Sequence, residues 1–156
     1  MNAEIGIMYD ICRTQADIYK YAAEHKYNME EFSPAYLKSD FCRRAMDSEY
    51  SRFQLEAPNE CFDFITPEIG TFVSDTYFNE DVAEWIGWIY RFLCFHIKMS
   101  SSELVDKVSF NTMCRYYPGL HTIDEYMAID IISENFNLPK SEQKIERKSL
   151  FDAVKT

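Results

Sequence analysis

The chain has 156 residues, of which 47% are hydrophobic and 16% are aromatic, and its formal net charge is −10. This apolar content suits one domain with a substantial core and excludes a chain that is disordered over most of its length. The excess of acidic residues disfavours direct binding to nucleic acid or to an anionic membrane, because both carry negative charge.

The N-terminal third shows the three-to-four-residue spacing of apolar positions that is typical of amphipathic helices. This spacing predicts a long first helix over 3–27. A second, short helix is expected to begin at Ser33-Pro34, since serine is a good N-cap and proline suits the first helical position. Ser39-Asp40 predicts the cap of a third helix over 41–47.

Proline and glycine then mark the limits of a fourth helix. Pro58 predicts its start, and Gly70 predicts its end at about Ile69. Residues 71–78 have the one β-like composition in the chain. We interpret them as a connector, because a lone strand has no partner with which to form a sheet.

A central helix is predicted over 80–99, with Asn79 as its cap. It is apolar almost all round, which is typical of a helix at the centre of a domain. We expect it to bury four large side chains, namely Trp85, Ile89, Phe92 and Leu93.

Three short helices are predicted after the central one, and Ser100-Ser101-Ser102 caps the first of them. Ser109 caps the second, over 110–117, and Pro118-Gly119 should end it. Thr122 and Glu125 match a capping box for the third, which runs to about residue 136. The inward residues of that helix are expected to be Met127, Ile131, Ile132 and Phe136.

Together these elements predict an all-α fold, a compact bundle of about six to eight short helices around the buried helix 80–99. The predicted domain covers residues 1–139. Residues 140–156 contain five basic and three acidic residues. They are predicted to form a charged C-terminal helical tail.

The reactive residue types form no recognisable catalytic or metal-binding pattern. The five cysteines are isolated, without a CxxC pair, and the three histidines have no HxxxH or HExxH spacing. We therefore predict reduced thiols in a cytoplasmic protein, with no catalytic residue, no metal and no cofactor. Charged residues interrupt the longest apolar run, so no membrane span is predicted.

Arg91 stands out because it lies among aromatic residues on the helix predicted to be buried. A buried arginine must be paired or must reach solvent. The favoured interpretation is a structural ion pair, with Glu84 as the first candidate partner. The alternative is a pocket in which Arg91 meets an anionic group of a ligand, lined by Glu84, Trp88, Arg91 and His121.

The most uneven feature of the sequence is its charge between Arg52 and Arg91. This stretch contains eight acidic residues and no lysine or arginine. Such a surface attracts a basic partner and raises its rate of association. The residues predicted to bind that partner are Glu56, Glu60, Asp63 and Glu68.

The segment 110–122, which contains Tyr116-Tyr117-Pro118-Gly119-Leu120-His121-Thr122, is followed by the helical segment 125–131. Together they resemble small uncharacterised helical proteins of gut Firmicutes that carry a YYxxLHT signature. Residues 36–54 and 85–91 look like the longer members of that group, so the resemblance covers about 36–134. The resemblance implies that the gene lies in a short operon, next to a gene for a candidate ADP-ribosyltransferase-like toxin, in the manner of toxin–antitoxin modules.

These features favour binding over catalysis. The leading hypothesis is a non-enzymatic acidic binding protein, an antitoxin or accessory component that neutralises a toxin-like partner enzyme with a basic surface. One alternative is an acidic inhibitor that mimics nucleic acid and acts on a defence or nuclease system. Another is a small enzyme with a pocket around Arg91. The oligomeric state and the identity of the partner stay open.

Overall fold

The structure is a computed structural model that describes residues 2–47 and 56–139. Within these ranges it contains eight α-helices and no β-strand, which confirms the predicted all-α class. The helices are α1 (Asn2–Glu24), α2 (Met29–Leu37), α3 (Asp40–Ala45), α4 (Pro58–Ile69), α5 (Glu80–Ile97), α6 (Ser101–Lys107), α7 (Phe110–Leu120) and α8 (Glu125–Asn135). The predicted tail 140–156 lies outside the described residues.

Helices α1 and α5 form the principal contact of the bundle. They approach each other closely at Gly87, which lacks a side chain. A Cβ atom at Gly87 would lie 2.8 Å from the backbone oxygen of Gln15 and 2.8 Å from Cγ of Tyr19. The absence of a side chain at this position therefore sets the distance between the two longest helices.

Helix α5 is the central helix, as its apolar sequence predicts. Ile89, Phe92 and Leu93 are buried, whereas Trp85 is partly buried against the core. Asn79 caps the helix, because its side-chain oxygen accepts hydrogen bonds from the N–H groups of Asp81 and Val82. No described helix is both long and apolar enough to cross a membrane.

Several helix limits differ from those predicted. Helix α2 begins at Met29 with Asn28 as its cap, so Pro34 lies inside the helix. Helix α7 continues through Pro118 and ends at Leu120. Both prolines lie beyond the first turn, where each removes one i→i−4 hydrogen bond, so the packing of these short helices on the core outweighs the low helix propensity of proline. Asp124, rather than Thr122, caps α8.

The predicted inward face of α8 was partly wrong. Ile132 is buried, but Met127 is 49% exposed and Ile131 is 36% exposed. The buried stripe instead contains Ala128 and Ile129 with Ile132. Small Ala128 contributes little to a hydrophobicity pattern, although it belongs to the i, i+1, i+4 stripe that faces the core.

Residues 71–78 form a connector between α4 and α5, as expected. The connector is held against the turn between α1 and α2 by a single antiparallel bridge from Tyr27 to Val73. The N–H of Asn28 donates to the carbonyl of Phe72 at 2.6 Å, and the N–H of Ser74 donates to the carbonyl of Lys26 at 2.8 Å. These bonds fix the connector on the body of the protein without forming a sheet.

We expect Gly87→Ala to destabilise the protein by about 1–3 kcal/mol, because the added methyl group forces α1 and α5 apart. The matched control is Gly119→Ala in α7, where nothing lies within 4 Å of an added Cβ. That substitution should stabilise the helix by about 0.5–1 kcal/mol. Urea unfolding measures the free energy of unfolding of both variants. Equal values for the two variants would contradict the close approach at Gly87.

Candidate functional site

Arg91 is the most unusual residue of the core, because its charged side chain is only 1% exposed. Its Nη1 donates to Oδ1 of Asp47 at 2.7 Å. Its Nε and Nη2 donate to Oε1 of Gln15 at 3.1 and 2.9 Å. Nη2 also contacts Oγ of Ser101 at 2.7 Å and Sγ of Cys42 at 3.2 Å. Each nitrogen of the guanidinium thus has a protein acceptor.

Asp47 supplies the negative charge that compensates Arg91. The same carboxylate accepts a hydrogen bond from the Ser101 hydroxyl at 2.6 Å and another from the Ser101 N–H at 3.2 Å. Ser101 is the first residue of α6, and Asp47 follows α3. The ion pair therefore joins the central helix to α6 and to the end of the α3 segment.

Gln15 connects the same group to α1. Its Nε2 donates to the carbonyl of Gly87 at 2.9 Å, and its Oε1 accepts from the hydroxyl of Tyr36 at 3.2 Å. We call Arg91, Asp47, Gln15, Ser101 and Cys42 the Arg91 cluster. Together with Tyr36, the cluster joins α1, α2, α3, α5 and α6 or their ends. It stabilises a charge that the core would otherwise exclude.

The electrostatic environment of the cluster keeps Arg91 charged and the thiols neutral. Burial by itself lowers the pKa of Arg91, but the acidic groups around it, which include the Asp47 carboxylate, outweigh burial and hold that pKa above its ordinary value. Burial raises the pKa of Cys94 to about 11 and also raises the pKa of Cys42. Protonated, buried thiols are poor nucleophiles, so neither cysteine has the environment of a reactive one.

Glu84 was the expected partner of Arg91, and this prediction is wrong. The Glu84 carboxylate lies 3.5 Å from Nη1 of Arg13 and 3.8 Å from Nζ of Lys20, at the partly exposed edge of α1. Seven residues correspond to a rise of about 10 Å along a helix. Glu84 and Arg91 therefore share a helix face but lie too far apart, with the close contact at Gly87 between them.

The other residues proposed for a pocket around Arg91 lie elsewhere. The Trp88 ring is partly buried beneath the guanidinium of Arg13, at 5.2 Å, and stacks on Tyr9. His121 is exposed and stacks on Tyr117, with 4.1 Å between the ring centroids. The structure therefore does not bring Glu84 and His121 to the Arg91 guanidinium.

The four predicted partner-binding acids have different environments. Glu60, Asp63 and Glu68 are exposed on α4, whereas Glu56 is partly buried just before that helix. Glu68 also has a structural role, because its carboxylate accepts hydrogen bonds from the N–H groups of Asp40 and Phe41 at 2.7 and 2.9 Å. It thereby caps α3, a contact between residues 28 positions apart that no local pattern predicts.

A second surface feature lies beside the connector and was not predicted from the sequence. Val73 is 64% exposed and Tyr77 is 73% exposed. Next to them is a cleft of about 200 Å³ between the α1–α2 turn, the connector and α7. The cleft is lined by Tyr27, Asn28, Met29, Glu30, Thr76, Tyr77, Phe78, Phe110, Asn111 and Cys114.

None of the five cysteines forms a disulfide, and four of them are buried. The part of the chain that the structure describes contains no group of three or more histidine, cysteine or acidic residues arranged to hold a metal ion. No protein-family model matches the sequence, and the comparisons with curated proteins and with solved structures found no match. Any function must therefore be inferred from the chemistry of the surface itself.

Arg91→Met should destabilise the protein by about 3–5 kcal/mol, because it leaves the Asp47 carboxylate without its charged partner. The control is Arg13→Met, which removes an exposed arginine that contacts Asp17 and Glu84. Exposed pairs contribute only about 0–1 kcal/mol. Chemical unfolding compares the two variants, and an Arg91 variant as stable as the Arg13 variant would show that the cluster does not hold the fold.

His96 gives the protein a predictable sensitivity to acid. It is buried beside Phe92 and Tyr126, and its Nδ1 has no hydrogen-bond partner among the described residues. Burial lowers the pKa of His96 from 6.5 to about 4. The unfolded chain therefore binds this proton more readily, and stability that is complete above pH 6.5 is lost as the pH falls towards 4.

We expect this one histidine to account for a loss of about 3 kcal/mol between pH 7 and pH 4. The variant His96→Leu removes the titrating group and preserves most of the side-chain volume. Urea unfolding at several pH values should show a shallower fall for the variant than for the parent. Parallel curves for the two proteins would contradict the assignment.

Proposed function

We propose that this protein is a non-enzymatic acidic binding protein of the antitoxin type, which docks on the basic surface of a toxin-like partner enzyme. The observation that carries the proposal is the exposed part of residues 56–84, which combines acidic with apolar side chains and has no lysine or arginine in its sequence. We call it the acidic surface. On α4 it exposes Glu60 and Asp63, and on the connector it exposes Asp75 between Val73 and Tyr77.

The combination of charge and apolar area supports docking on a protein. Exposed acids alone are common on solvated surfaces and serve solubility. Tyrosine is enriched among the residues that contribute most to the free energy of binding at protein interfaces. A largely exposed Tyr77, two residues from the exposed Asp75, therefore has the anatomy of an apolar contact with a charged rim.

The arrangement of basic residues also supports a partner of opposite sign. Residues 56–84 contain no lysine or arginine. Arg13 and Lys20 of α1 contact Glu84. Lys26 adjoins the connector through the bond from the N–H of Ser74 to its carbonyl. A basic protein would therefore be attracted to this side, and its association rate would depend on ionic strength.

The geometry around Arg91 does not favour the alternative of a small enzyme. That alternative needs a guanidinium that can reach a ligand, and the Nε, Nη1 and Nη2 atoms of Arg91 all donate to protein acceptors.

The alternative of a nucleic-acid mimic needs a regular array of carboxylates. Glu68 is committed to capping α3, which interrupts such an array on α4.

The test uses the product of the neighbouring gene as the candidate partner, co-expressed with this chain. A complex that survives size-exclusion chromatography supports the proposal. The kinetic variant is Glu60→Gln with Asp63→Asn, which leaves the Glu68 cap intact. At low salt we expect association to slow by about three- to tenfold with little change in dissociation, because rim charges act before contact is made.

The matched control is Asp10→Asn with Glu24→Gln, which removes two exposed charges from α1. It should slow association less than the α4 variant does. The difference between the variants should shrink as salt rises, because the Debye length is only about 8 Å at physiological ionic strength. If the variant with Glu60→Gln and Asp63→Asn associates with the partner as fast as the parent does at low salt, a role for the acidic surface is contradicted.

A further inference from the structure

The cleft beside the connector has the size of a site for one side chain. Its volume is about 200 Å³, whereas sites for small molecules and cofactors occupy about 300–1,000 Å³. Its walls come from three separate parts of the chain: the α1–α2 turn, the connector and the start of α7. The backbone bonds from Asn28 to Phe72 and from Ser74 to Lys26 hold two of these walls together.

The lining of the cleft is acidic and aromatic. Glu30 is the one charged residue in the lining, and no lysine or arginine contributes to it. The Glu30 carboxylate is held in place, because its Oε1 accepts a hydrogen bond from Nδ2 of Asn111 at 2.9 Å. Phe78 and Phe110 form an aromatic contact on one wall, with 5.4 Å between their ring centroids. Tyr77 also lines the cleft and is largely exposed.

Two helices begin at this cleft, and their N-termini would by themselves favour an anion. Each contributes about half a positive charge. Some of the backbone N–H groups at these two helix ends already have a partner. The side-chain oxygen of Asn28 accepts a hydrogen bond from the N–H of Glu31, and the hydroxyl of Ser109 accepts one from the N–H of Thr112. Glu30 places a full negative charge within the lining itself, so the cleft favours a cation.

We propose that this cleft receives the side chain of an arginine from the basic partner, an inference that rests on the proposed function. The guanidinium pairs with the Glu30 carboxylate and lies against the ring of Tyr77, while the methylene groups contact Phe78 and Phe110. Arginine suits the site better than lysine, because a guanidinium is planar, is weakly hydrated and stacks on aromatic rings.

The experiment needs no partner protein. N-acetyl-arginine amide is titrated into the labelled full-length chain, and NMR follows the side-chain amide of Asn111 and the ring signals of Tyr77. The matched ligand is N-acetyl-citrulline amide, which has nearly the same shape but no charge. We expect saturable shifts at millimolar arginine amide and at least about tenfold weaker binding of the citrulline compound, which corresponds to about 1.4 kcal/mol.

Two variants separate the cleft from the general negative charge of the protein. Glu30→Gln removes the charge in the cleft and retains an acceptor for Asn111. Glu31→Gln removes the adjacent charge, which does not line the cleft. We expect Glu30→Gln to weaken arginine amide binding by about fivefold or more, and Glu31→Gln to change it by less than about twofold.

Linear shifts without saturation would overturn the inference, as would equal binding of the citrulline compound or equal effects of the two variants. Failure of the inference can be distinguished from failure of the proposed function. If no arginine site is found but the complex with the neighbouring gene product forms in a salt-dependent manner, only the cleft assignment is wrong. If the arginine site is found but no complex forms, the proposed function is wrong.

Discussion

A buried arginine is stable only where protein groups replace the water that it loses, and this requirement organises the fold. The guanidinium of Arg91 lies inside the core and must have acceptors on several sides. Gln15 from α1, Asp47 after α3 and Ser101 from α6 supply them. Three segments that are distant in sequence are thereby joined to α5 around one buried charge.

The same constraint determines where the outer surface lies. Gln15 uses its second polar atom to bond the carbonyl of Gly87, at the point where α1 and α5 approach most closely. With α1 fixed there, the turn after α1 is also fixed, and the connector is bonded to that turn. The connector and the cleft beside it are therefore anchored to the body of the protein by backbone hydrogen bonds, and the proposed docking would use this anchored part.

The sequence predicted the fold class well because helical periodicity and capping are local signals. Asn79, Ser39 and Ser109 cap the helices that their positions indicate. The central helix could be recognised from its nearly continuous apolar character. Proline was a less reliable signal, since Pro34 and Pro118 lie inside helices rather than at their limits.

The sites were harder to predict because they depend on contacts between distant residues. The sequence indicated that Arg91 needs a carboxylate, but it could not show that Asp47 is brought close, 44 positions away. Glu68 looks like any surface acid, and only the fold shows that it caps α3. The cleft combines residues from three segments, and no one of these segments contains a recognisable motif.

A double-mutant cycle between Arg91 and Asp47 tests the organising role of this ion pair most directly. Arg91→Met, Asp47→Asn and the double variant are compared with the parent by urea unfolding. We predict a coupling free energy of about 2–3 kcal/mol, because removal of both partners leaves no uncompensated charge in the core. Additive losses would contradict the claim that the pair holds the helices around α5.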